Sequence, residues 1–118
     1  PQAELVDGEL AMRAARRIKT DEEIGALRES IAVAESGLAA AVAELRPGVS
    51  EKELAGALLE AVAVGGVSTP SNQDVAWVTS REHPWRRAAG DGRVQSGDLV
   101  ALSAGVLAGG YIGEVGRT

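Results

Sequence analysis

Between positions 24 and 45 the apolar residues Ile24, Leu27, Ile31, Ala34, Leu38, Ala41 and Leu45 recur in steps of three and four. A period near 3.6 places them in one stripe, which predicts an amphipathic helix with that stripe turned toward a core. Just before it stands Thr20-Asp21-Glu22-Glu23, where the threonine hydroxyl can accept from the third backbone N–H while Glu23 reaches back to the cap. Arg46, Pro47 and Gly48 end the stretch, because proline and glycine break the helical pattern. The unit then repeats on a smaller scale: a second capping box at Ser50 and Glu53, an apolar stripe of Leu54, Ala57, Leu58, Ala61 and Val62, and a stop at Gly65 and Gly66.

Beyond Gly66 the texture changes to β-branched residues and turn formers. Strands are predicted at Val75 to Thr79, Leu99 to Ala104 and Tyr111 to Gly116, with a polar loop from Glu82 to Gly92. The stretch Val106 to Gly110 is short enough to connect the last two strands as a hairpin. Turn residues Ala108 and Gly109 would set Ser103 directly opposite Glu114, whereas a one-residue slip is expected to send the two side chains to opposite faces. The fold class expected is α+β, with two antiparallel helices covering one face of an antiparallel sheet. Residues 1–19, with a helical tract around Leu10 to Ile18, read as a connector, and 20–118 as one domain. The chain opens at Pro1 with no initiator Met, which suggests a fragment or a processed product.

Composition narrows the partners. The 118 residues carry 12 Lys and Arg against 17 Asp and Glu, a net charge of −5, so there is no cationic excess to neutralise a nucleic-acid backbone. Aromatic residues make up 3% and include no Phe, leaving few platforms for stacking bases. Nucleic acid is therefore not expected as a partner. The absence of cysteine removes disulfides and thiolate metal ligands, leaves only His and carboxylates for metals, and agrees with a cytoplasmic location. No apolar run approaches the roughly 18 residues of a membrane helix, and no charged start with an apolar core reads as a signal peptide.

Three stretches in order, RIKTDEEIGAL from Arg17, LRPGVSEKEL from Leu45 and SGDLVALSAGVLAGGYIGEVGRT from Ser96, resemble the pita-bread metallopeptidases, the family of Xaa-Pro aminopeptidase, prolidase, creatinase and methionine aminopeptidase. The resemblance implies the first half of a catalytic domain built from two pseudo-symmetric halves, following a connector from an N-terminal domain absent here. It also implies five metal ligands, two of them aspartates on the last hairpin and the other three on the second half. The motif's two aspartates correspond to Ser103 and Glu114, and a substrate-binding histidine eighteen residues before the first corresponds to Trp85. The cofactor implied for a complete site is a divalent metal, Mn, Co or Zn, whose role would be to lower the pKa of a bridging water. None is expected on this chain alone, since a neutral hydroxyl is a poor substitute for a bridging carboxylate and Glu114 is one methylene longer than aspartate.

Each site candidate has a plainer reading beside it. His83, the only histidine, is two positions from where the motif wants one and fits a solvent-facing loop residue as well as a cleft residue. Trp85 could line a cleft or cover the hairpin. Ser103 and Glu114 could be the remnant of a metal site or a polar cross-strand pair, and the pair is the preferred reading. Asp98 is expected as a turn residue and Tyr111 as packing. The glycine-rich tail matches neither phosphate-loop pattern, and Ser103, His83 and Asp98 lack the nucleophile elbow of a hydrolase triad. Two functions are consistent with these residues: a metal-dependent Xaa-Pro aminopeptidase or dipeptidase domain with weak or no activity, or a non-catalytic module holding a peptide or protein partner in the same cleft. The oligomeric state stays open, a homodimer included.

Overall fold

The computed structural model describes residues 3, 5–67, 70–71, 75–83, 86–88 and 92–118. Three helices come first, α1 (Glu9–Arg17), α2 (Asp21–Ala43) and α3 (Glu51–Val64), and three strands come after them, β1 (Ala76–Val78), β2 (Val100–Ala108) and β3 (Tyr111–Arg117). The strands form one antiparallel sheet in the order β1-β2-β3. Helices α2 and α3 pack on each other; α2 lies against β2 and β3, and α3 reaches β1.

Both helix starts form as the sequence predicts. The Thr20 hydroxyl accepts from the Glu23 N–H at 3.3 Å while Glu23 accepts from the Thr20 N–H at 2.7 Å. Ser50 and Glu53 repeat the exchange at 3.2 and 2.8 Å. Each box satisfies two donors that a helix N-terminus otherwise leaves without partners. The tract at α1 is helical but buries none of its residues.

The core is filled by Leu54, Leu58 and Val62 of α3 and by Val100, Leu102, Ala104 and Val106 of β2, with Ala34 and Ala41 of α2. Burying each large aliphatic side chain is worth about 1.5–3 kcal/mol. The stripe expected on α2 forms in part: Ala34 and Ala41 are buried as expected, but the observed face is turned toward Ser30 and Gly37. Its buried residues are Ser30, Ala34, Gly37 and Ala41, while Ile24, Ile31 and Leu45 are 36%, 38% and 41% exposed. The reason is proximity on two sides. A Cβ at Gly37 would stand 2.8 Å from Val62 Cγ2, and one at Gly113 of β3 would stand 2.5 Å from the Ile31 N and the Ser30 C. A helix held that closely by both neighbours has room only for small residues at the contacts, so its larger side chains flank them.

The hairpin corrects the expected register. The turn residues are Gly109 and Gly110, with φ of 57° and 84°, a pair of left-handed conformations that alanine at position 108 would adopt only at a cost. Ser103 therefore faces Gly116, and Gly105 faces Glu114. Sliding both turn residues by one changes the pairing by two positions, and a strand alternates with period two, so Ser103 and Glu114 remain on one face.

Candidate functional site on the open face of the sheet

Alternation along β2 and β3 sorts the residues into two sets. Leu102, Ala104 and Val106 point to the helices; Ala101, Ser103, Gly105 and Leu107 point away, beside Ile112, Glu114 and Gly116 of β3. This second face carries no helix among the described residues. On it Ser103 Oγ donates to Glu114 Oε1 at 3.4 Å, a long contact made across the diagonal of the ladder. The two residues singled out in the sequence are thus brought together, although neither is the other's direct partner.

Their direct partners are both glycines, Gly116 and Gly105, so no side chain stands directly across the ladder from either. One step further along the same face Leu107 pairs with Ile112, which are 43% and 56% exposed. On the other side Trp77 of β1 pairs with Ala101 and is half-buried. Sequence reasoning passed over Trp77. Its signal was position: it is the middle residue of β1, whose two neighbours turn toward the core, and alternation then assigns it to the open face. The face thus offers an indole, a hydroxyl beside one carboxylate, and two aliphatic side chains.

His83 is exposed at the end of the segment after β1, where its N–H donates to Ser80 Oγ at 3.2 Å and its carbonyl accepts from the Arg86 N–H at 2.9 Å. The expectation for Trp85 falls outside the described residues. Asp98 does sit in a turn and does more there: Oδ1 accepts from Arg81 Nε at 2.8 Å and Oδ2 from the Gln95 N–H at 2.7 Å. Those donors, the Arg81 guanidinium foremost, hold its carboxyl below the usual range. Tyr111 is not only packing. Its hydroxyl donates to Glu23 Oε1 at 3.0 Å, tying the hairpin to the capping box of α2, and the carboxylate beside it holds the phenol above its ordinary range. Glu23 is lowered in turn, by the Thr20 N–H first and by Tyr111 second.

The donor set decides how well this face suits a metal. Catalytic divalent ions are held by about three or more protein ligands, and a pair of ions is bridged by carboxylates that neutralise their charge. The resemblance assigns two aspartates to this hairpin, whereas Ser103 and Glu114 supply one charge and one neutral oxygen. These residues do not fit the two-aspartate half-site that the resemblance implies. No helix among the described residues is long and apolar enough to cross a membrane.

Residues 25–118 match the family model described as Metallopeptidase family M24. Among curated relatives, the Xaa-Pro dipeptidase of Pyrococcus furiosus is 29% identical, covering 87% of this chain and 30% of its own length. A creatinase from Bacillus sp. is 31% identical over 100% of this chain and 30% of its own. Of solved structures, the prolidase from Pyrococcus horikoshii OT3 superposes with a TM-score of 0.80 at 26% identity, covering 92% of this chain and 31% of that one. Escherichia coli aminopeptidase P in complex with substrate gives 0.78 at 27% identity, covering 95% and 26%. The chain spans 30% of the length of these two curated relatives.

Proposed function

The chain belongs to metallopeptidase family M24 and carries part of the pita-bread fold, and from that premise we propose that it is the hairpin half of a peptidase-like domain that holds peptide on the open sheet face with weak or absent hydrolysis. One observation carries this reading: the hairpin positions that the family resemblance assigns to two aspartates hold a serine and a glutamate, 3.4 Å apart, with a single charge between them. A bridging carboxylate neutralises two cations; a serine hydroxyl neutralises none. The exposed Leu107 and Ile112 and the half-buried Trp77 beside this pair favour retention of an apolar peptide surface after the loss of metal chemistry. Substrate preference on this reading is the Xaa-Pro class named for the relatives.

Calorimetric titration of manganese, cobalt and zinc, run beside hydrolysis of Xaa-Pro peptides, tests it. The expected result is no stoichiometric metal site tighter than about micromolar, with peptide binding retained. A tighter metal site that disappears in Glu114→Ala would refute the reading.

A further inference from the structure

A single carboxylate lies where three segments meet. Glu51 opens α3, and its side chain is 18% exposed. Its Oε1 accepts the Val78 N–H at 2.7 Å, and its Oε2 stands 3.3 Å from Arg87 Nη2. Arg87 also donates to the Ala76 carbonyl at 3.2 Å, and the Ala88 N–H donates to the Val78 carbonyl at 2.8 Å. The outer edge of β1, the side away from β2, is thus closed by Glu51 and by residues 87–88 rather than by a fourth strand. The third segment passes at Gly92, whose carbonyl accepts the Glu51 N–H at 2.9 Å. Gly92 has φ of 67°, and a Cβ there would stand 2.9 Å from Glu51 Cδ.

None of this is required by α3 itself, which has its own cap in Ser50 and Glu53 and its own core side chains in Leu54, Leu58 and Val62. Strand β1, by contrast, is three residues long. The limb leaving it is held by Thr79, whose N–H and hydroxyl donate to the Leu99 carbonyl at 2.9 and 3.1 Å, and by Arg81 on Asp98, whereas the returning limb meets β1 at Glu51, at the Arg87–Ala76 contact and at the Ala88–Val78 bond. We propose that Glu51 is a positioning residue: it clasps residues 86–88 to β1, and its loss releases them while the domain stays folded. The limb is joined to His83, whose carbonyl accepts the Arg86 N–H at 2.9 Å. The consequence for peptide binding rests on the function proposed above; the clasp does not.

Amide hydrogen exchange on the intact protein tests the clasp in Glu51→Gln and Glu51→Ala, with Glu60→Gln, an exposed glutamate of the same helix, as control. Glutamine keeps an oxygen for the Val78 N–H and loses the charge that faces Arg87; alanine loses both. Exchange at Val78 and Ala88 is expected to rise about tenfold in Glu51→Gln and further in Glu51→Ala, with Leu102 and Val106 little changed. Trypsin cleavage after Arg86 should accelerate in the same order. Unchanged exchange at Val78 and Ala88 would overturn the clasp, as would equal acceleration at Leu102 and Val106, the mark of a general stabiliser. Calorimetry with a Xaa-Pro peptide supplies the second arm. Weaker binding in Glu51→Gln than in wild type supports positioning of a cleft, and undiminished binding refutes it. If the wild-type protein binds no such peptide, the proposed function fails, and exchange still decides the clasp.

Discussion

Replacing Gly113 with alanine is a strong test of how the hairpin is mounted. The added Cβ would lie 2.5 Å from the Ile31 N, 2.5 Å from the Ser30 C and 2.7 Å from the Ser30 Cβ. Two of those atoms are helix backbone, which cannot turn aside as a side chain can. Carbon contacts are comfortable at about 3.5–4.0 Å, so α2 or β3 must move by about 1 Å. Ser30 makes that movement costly. It is wholly buried, and its single hydroxyl proton is within reach of three carbonyls, Ala26 at 2.9 Å, Tyr111 at 3.0 Å and Ala108 at 3.1 Å. Overpacking of this kind costs about 1–3 kcal/mol, and breaking the Ser30 contact adds about 1 kcal/mol more. Alanine's advantage in the unfolded chain returns less than about 1 kcal/mol. The net expectation is a loss of about 2–3 kcal/mol, read from urea denaturation monitored by circular dichroism. Gly116→Ala, whose nearest contact is the Leu102 carbonyl at 3.4 Å, is the matched control and should stay within about 0.5 kcal/mol of wild type. Equal stabilities for the two variants would show that helix and hairpin do not meet at Gly113 as described.

Three further outcomes are expected. Asp98 and Glu23 both titrate lower in the folded protein, so the stability they contribute is complete above the ordinary carboxylate range and is lost as pH falls through their depressed values; Arg81→Gln should flatten the Asp98 part of that loss in denaturation midpoints measured across acid pH. Gly110→Ala, at φ of 84°, should cost about 1 kcal/mol by the same denaturation assay, and no measurable loss would argue against the two-glycine turn. Ser103→Asp with Glu114→Asp should restore metal binding in the complete protein if it supplies the remaining ligands, with hydrolysis returning less readily than metal binding and more fully when Trp85→His is added; metal stoichiometry and Xaa-Pro cleavage are measured separately, and a double variant that still binds no metal beside intact downstream ligands refutes this reading of the hairpin.

What could be read from the chain alone depended on the range of the interaction. Both capping boxes span four residues and were legible in full, as were Leu54, Leu58 and Val62 on α3. The buried side of α2 was legible only in part: Ala34 and Ala41 stood in the expected stripe, but Ser30 and Gly37 are selected by how near β3 and α3 come, a distance that no local pattern records. The hairpin fell between these cases. Its residues identified it, and the rule that two successive positive φ angles favour glycine would have moved the turn from Ala108-Gly109 to Gly109-Gly110. Of the site, Ser103 and Glu114 were found by motif spacing, whereas Trp77 needed strand alternation at β1. The role of Glu51 depends on Val78 and Arg87, 27 and 36 residues away, and nothing near position 51 announces it.

Across the ladder from Ser103 and from Glu114 there is no side chain, since Gly116 and Gly105 are their partners. Whatever residue occupies position 103 or 114 therefore displaces no cross-strand side chain, while the register of the strands is set by the Gly109-Gly110 turn and their fit against α2 by residues on the other face. The hairpin behaves as an exchangeable cassette, in which the instructions for folding and those for chemistry are written on different amino acids. Substitutions at those two positions meet no directly paired side chain, so the chemistry carried there can change while the backbone remains superposable on that of its relatives.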